Sequence, residues 1–236
     1  MSTVTTTVPT IQQRFGRITG ESTGEIIAPL QQGYLKDQAY EVAALARLRR
    51  GAGKKYEQVP DLWGLADTGP LHKKLQDCER PPSEDELTRA EDAVHVALTL
   101  WALHQQSRPT AMHRCHRREK PTGLGAAVRG LMPKDEIAEP VRKRLVRAGT
   151  APDLPSLAQR LRDLVLLLRG KDIALDYALL AEQLYHWQQP GGQDAVRRAW
   201  GRSFHAYRAP DDDPDLEDSA SNTSPLPADT ADKDAS

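Results

Sequence analysis

Aromatic side chains, cysteines and long apolar runs are all scarce in this chain. Aromatic residues make up 5% of the 236 residues, and no stretch of five strand-forming residues alternates strictly between apolar and polar, which argues against a β-sheet. The two cysteines, Cys78 and Cys115, lie far apart and exclude a disulfide framework. No apolar run approaches the ~20 residues that cross a bilayer, and the polar, threonine-rich start lacks the apolar segment of a signal peptide. We therefore expect a reduced cytoplasmic protein without a membrane partner.

The net charge of −1 conceals a strong separation of charge along the chain. Residues 210–236 carry nine acidic residues against Lys233, which leaves 31 basic and 24 acidic residues in residues 1–209, a net charge of +7. A basic body is typical of a protein that binds a polyanion. We expect residues 210–236 to form an acidic, disordered tail, because they offer little apolar surface to bury. The tail either keeps the protein soluble or mimics nucleic acid and inhibits binding.

Three helices can be recognised between residues 157 and 204 from the spacing of their apolar residues. The first is predicted to end at Gly170 in a left-handed conformation, and Asp176 is the predicted N-cap of the second. The predicted inward residues are Leu157, Leu161, Leu164 and Leu168; Leu179, Leu180, Leu184 and Trp187; and Val196, Trp200 and Phe204. The third helix carries arginines on its opposite face, at 197, 198 and 202. Together with a basic helix near 141–147, the helices near 154–169, 176–188 and 194–208 predict an antiparallel four-helix bundle over residues 133–209.

Residues 26–132 are predicted to form a second small helical domain, which makes the expected fold all-α. Ser83 and Glu86 form a capping box, S-x-x-E, before an apolar run that reaches about Gln106, and this run predicts the central core helix. A basic loop at 108–122 and a short helix at 123–131 follow, and the polar connector 134–139 marks the domain boundary. Residues 1–25 are expected to form a disordered extension. All four tryptophans (Trp63, Trp101, Trp187 and Trp200) are predicted core residues.

Basic residues are concentrated between Arg108 and Arg147, where the sequence has eleven Lys and Arg residues and only four acidic residues. Arg49 and Arg50 form a second cluster. Guanidinium groups bind phosphate oxygens bidentately and release condensed counterions, although a run of charge is also compatible with a solvated surface. Aromatic residues do not interleave with these cations, so contact with the nucleic-acid backbone is favoured over reading of the bases.

No pattern typical of a catalytic or metal site is found. His113, Cys115 and His116, with His104 nearby, lack the second ligand pair of a structural zinc site and are interpreted as a solvated basic loop. No phosphate-binding loop or nucleophile elbow is present, so we expect no enzyme activity and no cofactor. A free-standing helical DNA-binding regulator remains an alternative, although the helix near 141–147 lacks the setting of a helix-turn-helix.

Several short sequence motifs, taken in order, resemble those of the CasB family, the small subunit of the type I-E CRISPR surveillance complex called Cascade. They are Ala46-Arg47-Leu48-Arg49-Arg50-Gly51, Val59-Pro60-x-Leu62-Trp63, Leu124-Gly125-x-x-x-Arg129-x-Leu131, Leu-Val-x-Leu-Leu-Arg, Leu175-Asp176-Tyr177, Leu184-x-x-Trp187 and Val196-Arg197-x-x-Trp200-Gly201-Arg202-x-Phe204. The resemblance covers roughly residues 26 to 208 and leaves out the N-terminal extension and the acidic tail.

The resemblance implies a non-enzymatic helical subunit of an antiviral ribonucleoprotein complex. Two copies would lie along the complex with the other Cascade subunits, contact the path of guide RNA and target DNA, and hold the displaced non-target strand. The positions that it implies for phosphate contact are Arg49, Arg50, Arg129, Arg142, Arg144 and Arg147, with Arg118 and Lys120 in the basic loop.

Overall fold

The computed structural model describes residues 10–62, 64–65, 67–117, 122–134 and 136–206. Over these residues the fold is all-α, as the sequence predicts, with nine α-helices and no β-structure beyond one isolated bridge between His113 and Leu175. The helices are α1 (Ile11–Leu35), α2 (Ala39–Leu48), α3 (Gly69–Gln76), α4 (Glu84–Gln105), α5 (Leu124–Arg129), α6 (Glu139–Gly149), α7 (Leu154–Gly170), α8 (Tyr177–Trp187) and α9 (Gly192–Ala206). Three single-turn 3-10 helices lie between α2 and α3, at Arg49–Gly51, Tyr56–Gln58 and Pro60–Leu62. None of the described helices is long and apolar enough to cross a membrane.

The helix α4 is the central helix of the fold, and it begins at the predicted capping box. The Ser83 hydroxyl accepts a hydrogen bond from the Glu86 N–H, and the Glu86 carboxylate accepts one from the Ser83 N–H at 2.7 Å. Every residue from 93 to 105 is buried, because α1, α2, α7 and α8 pack around this helix. Trp101, Trp187 and Trp200 are buried, as predicted, whereas Trp63 lies outside the described residues.

The helix α1 corrects the prediction that residues 1–25 form a disordered extension, because residues 11–25 are helical. It begins after Thr10, whose side chain accepts a hydrogen bond from the Gln13 N–H. Gly16, Gly20 and Gly24 recur every four residues and lie on one face of the helix, which packs against α8. Glycine lowers helix propensity, so this segment does not resemble a helix in sequence. In the fold the same glycines allow two helix backbones to approach closely. Residues 1–9 lie outside the described residues.

The C-terminal helices lie close to their predicted positions. Asp153 and Asp176 cap α7 and α8 and accept hydrogen bonds from the backbone N–H groups of residues 156 and 179, at 2.7 and 2.9 Å. The predicted left-handed residue at Gly170 is wrong, because Gly170 is the last residue of α7 and Asp172 has the positive φ, at 54°. The Ile173 N–H then bonds to the Leu168 carbonyl at 3.1 Å, which closes the helix as a Schellman motif.

The four C-terminal helices do not form a bundle of their own, so the predicted four-helix bundle is not confirmed. The helix α8 makes its most extensive contacts with α1 and α4, and α5 packs mainly on α9. The buried apolar residues form one cluster that runs from Phe15 to Phe204. The predicted boundary at 134–139 therefore does not separate two hydrophobic cores.

Candidate nucleic-acid interface

The basic helix α6 presents its cations to solvent, as its periodicity predicts. Leu145 and Ala148 are buried, where the helix packs against α7 and α5. Lys143, Arg144 and Arg147 are exposed. Because the buried residues fix which face is turned inward, these three cations lie on the outer face of a helix that the core holds in place.

The three arginines predicted on α6 differ in their partners. The Arg142 guanidinium donates two hydrogen bonds to the Glu139 carboxylate, from Nε at 2.8 Å and from Nη2 at 3.0 Å. These bonds lower the pKa of Glu139, which keeps its negative charge in place. Among the described residues neither Arg144 nor Arg147 has an ion-pair partner. The free guanidinium groups of the helix are therefore those of Arg144 and Arg147.

The side chain of Arg129 has a structural role at the end of α5. Its Nη1 donates a hydrogen bond to the Pro133 carbonyl at 2.7 Å, and its Nη2 donates one to the Lys134 carbonyl. A guanidinium group has five N–H donors, so donors remain that can contact a phosphate. Arg129 stays a predicted contact, and its removal would also release the turn that follows α5.

Arg49 and Arg50 lie in the 3-10 turn that ends α2. Arg49 is half-buried and Arg50 is exposed, and neither has an ion-pair partner within the described part of the chain. The neighbouring Arg47 donates instead to the Asp61 carbonyl at 3.1 Å. This cluster therefore offers two unpaired cations at the surface.

The helix α7 links this cluster to the end of α6. The Gln159 side-chain amide donates a hydrogen bond to the Gly53 carbonyl at 2.7 Å, which holds the loop after the 3-10 turn. The next residue, Arg160, donates to the Arg147 carbonyl in the last turn of α6. Two basic segments that are far apart in sequence are thus attached to neighbouring residues of one helix.

The helix α9 adds cations that sequence analysis did not place among the binding residues. Arg198 and Arg202 are exposed and have no ion-pair partner among the described residues, whereas Arg197 pairs with Asp194. A Cβ atom at Gly149, the last residue of α6, would lie 3.1 Å from Cγ of Arg197, so the two helices adjoin there. The exposure of these arginines could have been predicted from the sequence, since they lie opposite the apolar face of α9. The exposed cations of both helices that have no ion-pair partner among the described residues are called the α6–α9 basic surface below; they are Lys143, Arg144, Arg147, Arg198 and Arg202.

Two of the histidines interpreted as part of a solvated loop, His104 and His113, are core residues, so that interpretation was wrong for them, whereas His116 is exposed. His104 is fully buried, and its Nδ1 lies 2.9 Å from the Tyr177 hydroxyl. Nδ1 of His113 accepts a hydrogen bond from the Tyr177 N–H at 3.1 Å. Burial lowers the pKa of both imidazoles, that of His104 to about 3, so neither adds positive charge at neutral pH. Within the described residues no group of three or more His, Cys, Asp and Glu side chains could hold a metal ion.

The base of the basic loop is attached to the first turn of α8. The His116 N–H donates to the Asp176 carboxylate at 2.6 Å, and Nδ1 of His116 accepts from the Thr122 N–H at 3.0 Å. Both ends of the segment between residues 116 and 122 are therefore held at one place. Arg118 and Lys120, the predicted phosphate contacts of this loop, lie outside the described residues.

A cavity between residues 54–57, α4 and the start of α7 contains a perturbed carboxyl group. Burial, together with repulsion by Glu57, raises the pKa of Asp92 to about 6. A carboxyl group of this kind in a cleft is a candidate for acid–base chemistry. The Nε2 of His95, which lines the same cavity, lies 3.1 Å from the Lys54 carbonyl and donates to it, and the described lining contains no serine or cysteine. The cavity therefore offers an acid without a serine or cysteine beside it in the described lining.

Comparisons with known proteins identify the family. A model of the family described as CRISPR-associated protein Cse2 matches residues 44–205. The crystal structure of CasB from Thermobifida fusca is 47% identical, with a TM-score of 0.71 over 80% of this chain and 98% of that chain. A chain of a CRISPR RNA-guided surveillance complex shares the fold at 20% identity, with a TM-score of 0.54 over 79% of this chain and 93% of that one. No curated protein matches the chain. The chain belongs to the CasB (Cse2) family of CRISPR-associated proteins.

Proposed function

We propose that this chain is a non-catalytic subunit of a type I-E CRISPR RNA-guided surveillance complex, in which it holds nucleic acid by its phosphates. The observation that carries the proposal is the set of unpaired cations on the α6–α9 basic surface of a CasB family member. In an RNA-guided complex base pairing reads the sequence, so a protein subunit needs contacts that are independent of sequence. Its partners would be the other protein subunits, a second copy of itself, the guide RNA and the target DNA.

The chemistry of this surface favours the phosphate backbone over the bases. Arginine guanidinium groups form charge-assisted, bidentate hydrogen bonds with phosphate oxygens. No Phe, Tyr or Trp side chain is exposed on the described parts of α6 and α9, where Trp200 and Phe204 are buried. Proteins that recognise single-stranded bases use exposed aromatic rings as stacking platforms. The surface therefore favours binding through the charge of the phosphates, independent of the base sequence.

Within the complex we assign this surface to the displaced non-target strand, beside the path of guide and target. Opening of the duplex is a near-balanced exchange of DNA pairs for RNA–DNA pairs. A few phosphate contacts to the displaced strand would shift that balance, because they are lost when the strand re-pairs. Guide binding would depend less on the same cations.

The test compares two double variants of the full chain. R144A/R147A removes the two unpaired guanidinium groups of α6, and E139Q/R142Q removes the neutral ion pair of the same helix at unchanged net charge. If the unaltered protein neutralises about four to six phosphates of single-stranded DNA, log affinity should fall against log salt with a slope of roughly −3 to −4. R144A/R147A should flatten this slope by about 1.4 and weaken binding to all sequences alike, whereas E139Q/R142Q should leave the slope unchanged.

Two outcomes would contradict the proposal. One is unchanged affinity and slope in R144A/R147A with the fold intact by circular dichroism. The other is a thousandfold preference of the unaltered protein for one duplex sequence, which would favour the alternative of a free-standing regulator. In the assembled complex, R144A/R147A should reduce the stability of the opened target duplex more than the binding of guide RNA.

A further inference from the structure

The outer face of α9 is a basic surface that begins where the described part of the chain ends. Arg198 and Arg202 lie one turn apart on this face, and His205 is exposed beside them. No described carboxylate pairs with either arginine. The described part of the chain ends at Ala206, the last residue of α9, close to these cations.

The sequence that follows is of opposite charge. Residues 210–236 carry nine acids and one lysine, and six of these acids lie between Asp211 and Asp218. The first of them is five residues beyond Ala206, which an extended chain spans in about 17 Å. Arg202 and Arg198 lie about 6 and 12 Å back along α9 from its last residue. The first acidic cluster can therefore reach both arginines without any change in the helix.

We propose that the acidic segment 210–236 docks on the outer face of α9, continues toward the end of α6, and competes there with nucleic acid. The contact of Arg197 with Gly149 makes α6 the adjoining helix, so a segment lying along α9 comes next to Arg147. Carboxylates would then occupy the guanidinium groups that otherwise bind phosphate. The docking itself is independent of the proposed function, whereas its effect on nucleic acid rests on that function.

Tethering makes weak docking effective. A segment joined directly to its binding surface has an effective concentration on the order of 1 mM. If the separate segment binds with a dissociation constant between about 0.1 and 1 mM, the tether lowers apparent nucleic-acid affinity about two- to tenfold. The pairs are exposed, so salt should weaken the competition, since the Debye length is only about 8 Å at 0.15 M ionic strength.

The first measurement follows docking without nucleic acid. An isotope-labelled peptide of residues 209–236 is titrated by NMR with the chain ending at Arg208, at 50 mM salt. It should bind with sub-millimolar to millimolar affinity, and R198A/R202A in the shortened chain should weaken binding at least threefold. The matched control K36A/K73A, which removes one exposed lysine from the turn after α1 and one from α3, should not. Absence of binding at millimolar concentration, or equal binding to R198A/R202A, would overturn the proposal.

The second measurement follows single-stranded DNA. Removing residues 209–236, or replacing the nine acids by Asn and Gln in the full chain, should raise affinity two- to tenfold at 50 mM salt and have almost no effect at 300 mM. Equal DNA affinity with and without the acids would overturn the competition. If the peptide docks but neither chain binds DNA, the proposed function fails while the docking stands, so the two failures are distinguishable.

Discussion

Replacing Gly20 by alanine should destabilise the protein, although alanine is the better helix former. The new Cβ would lie 2.7 Å from the Ala178 carbonyl oxygen and 3.1 Å from Cβ of Glu182, so α1 must move away from α8. Overpacking of this kind costs about 1–3 kcal/mol and occasionally more. The gain in helix propensity offsets at most about 1 kcal/mol of this cost. We expect a net loss of about 1–2 kcal/mol, or roughly 2–8 °C in melting temperature for a chain of this size.

The matched control is Gly24→Ala on the same face of α1. Its Cβ would lie 3.4 Å from Cβ of Ala178, an ordinary van der Waals contact. This variant should therefore gain about 0.5–1 kcal/mol from propensity alone. Urea unfolding followed by circular dichroism at 222 nm measures both variants. The close approach of α1 and α8 would be refuted if Gly20→Ala were as stable as the unaltered protein, or if both variants lost the same free energy.

Two further predictions concern α8 and the residues that it holds. Because burial lowers the pKa of His104 to about 3, the unfolded chain binds a proton between pH 6.5 and 3 that the folded chain does not, so stability falls as the pH falls. Lowering the pH from 7 to 5 should reduce the free energy of unfolding by up to about 2 kcal/mol through this group. Urea unfolding of His104→Leu should therefore show a shallower pH dependence of stability. An unchanged pH dependence in this variant would contradict the lowered pKa of His104. Asp176→Ala should cost about 2–4 kcal/mol, since it removes an N-cap and the buried acceptor of the His116 N–H, whereas Asp153→Ala removes an exposed cap and should cost about 1 kcal/mol. Equal losses in thermal unfolding would show that the His116 anchor contributes nothing.

The elements that sequence analysis located correctly are those with local signals. The leucines of α7 recur at helical spacing, and Asp153 and Asp176 stand where a cap is needed, so α7 and α8 could be predicted within a few residues. α1 could not be predicted in this way, because its glycines are explained only by α8, which is distant in the chain. Helix propensity is a weak guide where tertiary contact decides the conformation. The available signals were the spacing of Gly16, Gly20 and Gly24 and the capping box formed by Thr10 and Gln13.

The residues of the candidate interface also divide into those that local sequence signals predict and those whose surroundings depend on distant parts of the chain. The exposure of Arg144 and Arg147 follows from the inward spacing of Leu145 and Ala148, and the partner of Arg142 lies three residues away on the same helix, where a pair is expected. The burial of His113 could not be read from the chain, because its partners, Gln31 of α1 and Tyr177 of α8, are distant in sequence. The contacts of Arg118 and Lys120 remain predictions, since both lie outside the described residues.

The basic residues differ in whether their substitution should change affinity alone or both affinity and stability. Arg144, Arg147, Arg198 and Arg202 are exposed on helices whose opposite faces are buried, so their removal should change affinity and leave the core intact. Arg129, a predicted phosphate contact, also has a structural role, because its guanidinium holds the carbonyls of the turn after α5. A loss of binding in Arg129→Ala would therefore not identify a phosphate contact unless stability were measured with it. The four exposed arginines allow the more direct inference, since a surface charge away from buried contacts contributes little to the free energy of unfolding.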